Sequence, residues 1–239
     1  MRSIIVAGAL VLLATACTAV PAVAPAASTK PGTESAPSAR RTTKPKPKPS
    51  PKPAVPHVTV SQVRAADGAV VTVAVFHGPV RYVLHNGSLD PGYTATEAGV
   101  TAGSAVGTAE RKQLLAAFNG GFKLSAGAGG YEQEGHVISP LLTGYASLII
   151  DRSGQARIAL WGYGAPAPGE AVYSVRQNLQ LLVEHGQPTQ AAADWYAWGA
   201  TLGGGEDVAR SALGQDAAGD LLFAGSMSAS PQDMAQALV

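Results

Sequence analysis

Val70-Val71-Thr72-Val73-Ala74-Val75-Phe76 lies between Asp67-Gly68 and Gly78-Pro79, and two further runs rich in β-branched residues flank it, Val58 to Val63 and Val80 to His85. Glycine admits a positive φ and proline presets φ near −65°, so each pair ends one extended run and starts another. The three runs read as a strand-turn-strand meander. The same grammar returns downstream. Ala146 to Ile150 and Ala156 to Trp161 flank Asp151-Arg152-Ser153-Gly154, Asp216-Ala217-Ala218-Gly219 leads into Asp220 to Ala224, and His185-Gly186 follows Leu179 to Glu184. Helical periodicity is confined to about Ala109 to Ala116 and to a run beginning at Pro231. The expected class is α+β, a mixed and largely antiparallel sheet with few helices, as a single domain over 57–239.

Charge separates this region from what precedes it. The 239 residues carry 17 Lys+Arg and 16 Asp+Glu. Residues 1–56 hold eight of the basic residues, one acid and ten of the 17 prolines, which leaves nine basic and fifteen acidic residues, a formal −6, for 57–239. That sign argues against a nucleic-acid-binding surface. The single cysteine excludes a disulfide scaffold and a Cys-based zinc site.

Arg2 precedes an uncharged, mostly apolar run of thirteen residues, Ile4 to Ala16. It is too short to span a hydrocarbon core of about 30 Å as a helix, and reads as the core of an export signal over 1–16. Leu13-Ala14-Thr15-Ala16-Cys17 is similar to a bacterial lipobox, which makes Cys17 the candidate lipidation site and the membrane a partner through that lipid. The alternative is ordinary secretion, with cleavage after Ala16 or Ala24. Residues 17–56 are a Pro/Lys-rich tether centred on Lys44-Pro45-Lys46-Pro47-Lys48-Pro49. Proline removes donors and lysine repels lysine, so the tether is expected to stay disordered, with polyproline II character, and to lift the domain off the outer face of a cell membrane.

The sequence contains no Gly-x-Ser-x-Gly elbow, His-Glu-x-x-His, P-loop or EF-hand loop. Its five histidines lack metal-ligand spacing, so no cofactor is called for, although a divalent metal stays open. What the folded region does carry is a series of ordered blocks. Ala116-Ala117-Phe118-Asn119-Gly120-Gly121-Phe122-Lys123 is followed by Gly129-Gly130-Tyr131. Leu84-His85-Asn86-Gly87-Ser88 and Asp90-Pro91-Gly92 precede it. Pro140-Leu141, Ala146-Ser147-Leu148, Trp161-Gly162, Val175-Arg176-Gln177-Asn178-Leu179, Trp198-Gly199-Ala200-Thr201-Leu202-Gly203 and Arg210-Ser211-Ala212-Leu213-Gly214 come after it. Together they resemble the phosphodiester glycosidase family, in particular its exported actinobacterial members, over about 78–239. Glu132 and His136 depart from that pattern. The resemblance implies a hydrolase that cleaves a sugar 1-phosphodiester in an envelope glycan or glycolipid.

Such chemistry expels a phosphomonoester anion, which needs positive charge more than a general acid. Arginine offers a planar fork matched to phosphate, and Arg176 and Arg210 each sit beside short polar residues, Gln177 and Asn178 or Ser211. Both are candidates for the phosphate; the alternative is structural salt bridges. On the phosphate reading, replacing either with alanine should cost turnover far more than stability. Asn119 is the candidate for a sugar hydroxyl, Gly120 and Gly121 for close backbone approach, and Lys123 for a further cation; the alternative is a tight turn. His85, at a strand end, and Glu132 complete the candidate set, and no nucleophile can be named. The rival function is a non-catalytic polysaccharide-binding lipoprotein. Ser230-Pro231-Gln232-Asp233 reads as a helix start, with Ser as N-cap, Pro at the first helical position and Asp suiting the helix dipole. From the resemblance, a further strand is expected to follow that helix, so that 57–239 lacks the C-terminal part of the domain.

Overall fold

A computed structural model describes residues 2–6, 11–12, 54–103, 105–198 and 205–239. Cys17, residues 18–53 of the Pro/Lys-rich tether and Gly199 to Gly203 of one block lie outside the described residues. The strands are β1 (Arg2–Val6), β2 (Val11–Leu12), β3 (His57–Arg64), β4 (Val70–His77), β5 (Val80–Leu84), β6 (Leu114–Phe118), β7 (Tyr131–Gln133), β8 (His136–Ser139), β9 (Ala146–Ile150), β10 (Ala156–Leu160), β11 (Ser174–Gln177), β12 (Val183–Glu184), β13 (Gln187–Pro188), β14 (Val208–Gln215) and β15 (Leu221–Ala229). The helices are α1 (Tyr93–Glu97), α2 (Thr108–Arg111) and α3 (Pro231–Ala237). The class is α+β with mostly antiparallel strands and few helices, as expected.

One five-stranded sheet runs β2-β14-β15-β4-β3 and another β10-β9-β11-β7-β8; β5-β1-β6 form a parallel three-stranded sheet, and β12-β13 a hairpin. Both faces of β4 are covered, which explains its nearly unbroken apolar sequence. Phe76 and Ala74 join Leu213, Leu221 and Phe223 in the main core, with Tyr82, Leu84, Leu148 and Ile150. The alternate residues Val71 and Val73 pack with Ala212, Ala224, Trp198 and Met234 of α3 on the opposite face. Likewise β9 is buried throughout, and Ile149 faces away from the main core toward Val175 and Ala165.

Local turn chemistry places the hairpins where the sequence suggests. Asp151 Oδ1 accepts from the backbone N–H of Ser153 (2.7 Å) and Gln155 (3.0 Å), closing the β9-β10 turn. Burial works against the charged form of Asp151, but these bonds and the Ser153 hydroxyl hold its carboxyl below the usual value. His185 and Gly186, at φ 50° and 71°, make the two-residue turn between β12 and β13. Ser230 caps α3 by accepting from Asp233 N–H, while the Asp233 carboxylate accepts from Ser230 N–H (2.9 Å), a reciprocal capping box.

Two expectations need correction. The opening meander stops after two strands: β4 pairs β3 on one edge and β15 on the other, so β5 has no edge to join and enters a different sheet. The helix expected at 109–116 is a single turn, Thr108–Arg111, and Leu114–Phe118 is a strand. A short apolar run has no period that separates helix from strand. Here tertiary packing decides, with Phe118 against Phe76 (5.7 Å between ring centroids) and Phe223 (4.7 Å).

One ion pair yields a pH prediction. Arg157 grips Glu170 with two donors, Nε at 2.8 Å and Nη2 at 2.5 Å. Those bonds hold the Glu170 carboxyl below its ordinary value, burial opposing and the Ala167 N–H assisting. A depressed carboxyl contributes stability above its unfolded pKa and loses it as pH falls through the folded one. Melting temperatures of the wild type and Glu170→Gln should therefore differ above about pH 5 and converge as pH falls below the ordinary glutamate value of about 4.3 and through the lower folded one. Both groups keep solvent contact, so the gap should stay below about 1 kcal/mol.

Candidate functional site

The polar side chains of β11 and the residue after it form a buried comb, Arg176, Gln177 and Asn178, each 6% exposed or less. Alternation along an extended chain sends Arg176 and Asn178 to one side and Gln177 to the other. Gln177 Oε1 accepts from the N–H of Gly130 (2.9 Å) and Leu142 (2.7 Å), and its Nε2 donates to Leu142 O (2.9 Å) and Ser147 Oγ (3.1 Å). On the other side, Asn178 Nδ2 donates to Gly120 O (3.1 Å) and its Oδ1 accepts from Phe122 N–H (2.9 Å). Gly121 must lack a side chain here, because a Cβ would lie 2.4 Å from Asn178 Oδ1. Arg176 Nη2 also donates to Phe122 O, and its Nη1 to Gly130 O (3.3 Å) and Gln177 O (3.2 Å). The Asn119 to Lys123 loop is thus held rigidly from beneath.

This loop separates two cavities. The smaller, with room for little more than a water molecule, is lined by His85, Asp90, Gly120, Tyr131 and Arg176. The Arg176 guanidinium lies 5.3 Å from the Tyr131 ring centroid. Burial pushes the Tyr131 phenol well above its ordinary value, which Arg176 opposes and Glu134 and Asp90 reinforce, so the hydroxyl stays protonated beside Asn86 and Gln133. Burial also pushes the Arg176 guanidinium down, against the charge-favouring influence of Tyr131 and Asp90. It remains a cation at any physiological pH. His85 is half-buried, with Nε2 3.2 Å from Gly103 O.

The larger is an open cleft lined by Asn119, Lys123, Arg210, Ser211, Asp67 and Asp207, with Phe122, Trp198 and Phe223 as apolar wall. Asn119 Nδ2 donates to Ser211 Oγ (3.1 Å), tying β6 to β14. Arg210, 8% exposed, donates to three carbonyls: Nε to Ala229 (2.8 Å), Nη1 to Trp198 (3.1 Å) and Nη2 to Glu206 (2.9 Å). Burial lowers its pKa, with Asp207 and Glu206 opposing.

Seven of the ten sequence-chosen residues in the folded region line the two cavities, and two more, Asn178 and Gly121, meet in the loop between them. Counted by place, His85, Gly120 and Arg176 meet at the small cavity, and Asn119, Lys123, Arg210 and Ser211 at the cleft. Glu132 joins neither. It sits on β7 opposite Val175 and Val137, and alternation turns it away from Tyr131 and the Arg176 cavity. Neither arginine makes an ion pair among the described residues; both anchor backbone carbonyls instead. The carboxylates at the two cavities, Asp90, Asp67 and Asp207, were not chosen from the sequence. Asp90 stood in a recognised block beside Pro91, Asp67 read only as a turn residue, and Asp207 had no local signal. Asp67, Asp207 and Asp233 offer carboxylate oxygens within 4.8 Å of one another, a hard-donor set of the kind that divalent cations take. Among the described residues, no helix is long and apolar enough to cross a membrane. Compared with known proteins, the chain matches no family model, no curated protein and no solved structure.

Proposed function

We propose that the protein is an envelope hydrolase that binds a sugar phosphodiester at the Asn119 to Lys123 loop and cleaves it. The observation that carries this reading is a pair of buried guanidiniums, Arg176 and Arg210, with no carboxylate partner among the described residues, each lining a cavity beside that loop. A buried cation held only by neutral carbonyls favours an anion nearby. Each arginine has five N–H groups, of which three are engaged by described residues, so two on each side chain have no partner among the described residues. The ordered blocks that resemble phosphodiester glycosidases support the same substrate class.

In this reading Arg210 and Lys123 hold the phosphate in the cleft, Arg176 fixes the loop from its other side, and Asn119 and Ser211 bind sugar hydroxyls. A cleft carboxylate, Asp207 or Asp67, takes a proton from water. The water oxygen bonds the anomeric carbon, the C–O bond breaks, and its electron pair leaves on the phosphomonoester. The protein is exported and held at the outer membrane face through lipid on Cys17. Incubation with a synthetic sugar 1-phosphodiester in oxygen-18 water tests the chemistry: reducing sugar should appear with the label on the sugar. Label on phosphate would place cleavage at P–O. Retention on envelope glycan without turnover would favour the polysaccharide-binding reading.

A further inference from the structure

Among the described residues, β5 and β6 have one strand neighbour, β1, which lies between them and runs parallel to both. Arg2 to Val6 stand opposite Val80 to Leu84 on one side, and Ile4 to Val6 opposite Ala116 to Phe118 on the other. Val11–Leu12 then runs parallel beside Ala212 and Leu213 of β14. These are residues of the segment that reads as an export signal. The ladder of two core strands therefore depends on a strand that export processing removes.

β5 and β6 are anchored without it. Val80, Tyr82 and Leu84 are buried in the main core, Tyr82 N–H donates to Gly154 O (2.9 Å), and Phe118 stacks on Phe76. Adjacent strands stand about 4.8 Å apart, so removing β1 leaves β5 and β6 facing each other across about 10 Å. That is too far to pair directly. Buried backbone N–H and C=O groups demand partners, so the gap demands a strand. The tether is a poor source, because Val20-Pro21 and Val23-Ala24-Pro25 interrupt its apolar stretches with residues that lack an N–H. Ile4-Ile5-Val6 is β-branched and free of proline.

We propose that the position between β5 and β6 is a strand-acceptor slot, occupied in the unprocessed chain by Arg2–Val6 and opened when the leader is removed. The slot takes an extended, parallel, proline-free segment rich in β-branched residues. Its occupancy bears on the site by position: β5 runs directly into His85 and β6 into Asn119, so the strand between them sets the spacing of the two cavities' loops. The inference stands on backbone pairing and does not require the hydrolase reading.

Hydrogen exchange read by mass spectrometry tests it on three proteins: the full chain made by cell-free translation without signal peptidase, the same chain with Ile4→Pro, and residues 18–239. The amides of 80–84 and 114–118 should be protected in the full chain and exchange about tenfold faster or more in the other two, while β9 and β11 keep their protection. A synthetic peptide of residues 2–12, added in excess to 18–239, should restore protection of β5 and β6. Equal protection in all three proteins without peptide would overturn the proposal, as would protection of 18–239 that appears only in a dimer, since a second copy would then be the occupant. Should 18–239 lose protection everywhere, recovery with peptide supports the slot. Failure to recover, together with unchanged exchange in Ile4→Pro, overturns it.

Discussion

Gly130→Ala should destabilise the domain by about 3 kcal/mol or more, the upper range for overpacking at a site that cannot relax. A Cβ at this position would lie 2.1 Å from Pro140 O, 2.5 Å from Pro140 C and 2.7 Å from Leu141 Cα. Every one of these atoms is backbone, so no rotamer change relieves the contact. Nor is the facing segment free to withdraw, because Gln177 binds both the N–H and the C=O of Leu142 as well as the N–H of Gly130 itself. Gly103→Ala is the control: nothing lies within 4 Å of its Cβ position, and the change should stay within about 0.5 kcal/mol. Urea midpoints of the two variants decide the matter. If they coincide, the packing of β7 against the Pro140-Leu141 segment is not as described.

Arg176→Ala should lower both stability and turnover. The geometry thereby revises the sequence-based expectation that turnover would suffer far more than stability. The substitution strips a charged donor from three carbonyls, those of Gly130, Gln177 and Phe122, and releases the loop that carries Asn119 and Lys123. Hydrogen bonds to charged groups contribute about 1.5–3 kcal/mol each and are not additive, so a total loss of about 3 kcal/mol is expected. Arg176→Lys separates the two roles. Lysine keeps the charge and can still reach a carbonyl, but it cannot span three acceptors at once. It should recover part of the stability and little of the activity. Wild-type stability in Arg176→Ala, measured by urea unfolding, would show that the three carbonyls do not depend on the guanidinium. Full activity in Arg176→Lys would show that turnover does not depend on the three-way grip of the guanidinium.

What could be read from the sequence is what short-range chemistry controls. Asp151 to Gly154 and the Ser230 cap are decided by side chains bonding backbone two to four residues away, and His185-Gly186 by positive φ at both residues, so each turn or helix start was legible where it occurs. The α+β class followed from those punctuated strands. The loop at Asn119 to Lys123 was legible as a place where backbone must come close to something. Its nearest neighbour, however, is the protein itself, Asn178.

The rest depends on pairings that no local window contains. β4 has two edges, and which strands fill them is a competition across the whole chain; β15 wins the second, and β5 is sent to a separate sheet. Leu114 to Phe118 becomes a strand because two phenylalanines more than forty and one hundred residues away, Phe76 and Phe223, accept Phe118 between them. Arg176 meets the carbonyl of Phe122 across 54 positions, and Asp67, Asp207 and Asp233 converge from opposite ends of the domain. Residue type settled by itself which side chains could hold charge or bend the chain. Whether a guanidinium faces a carboxylate, a carbonyl or a ligand is set by long-range packing, and only the tertiary structure decided it.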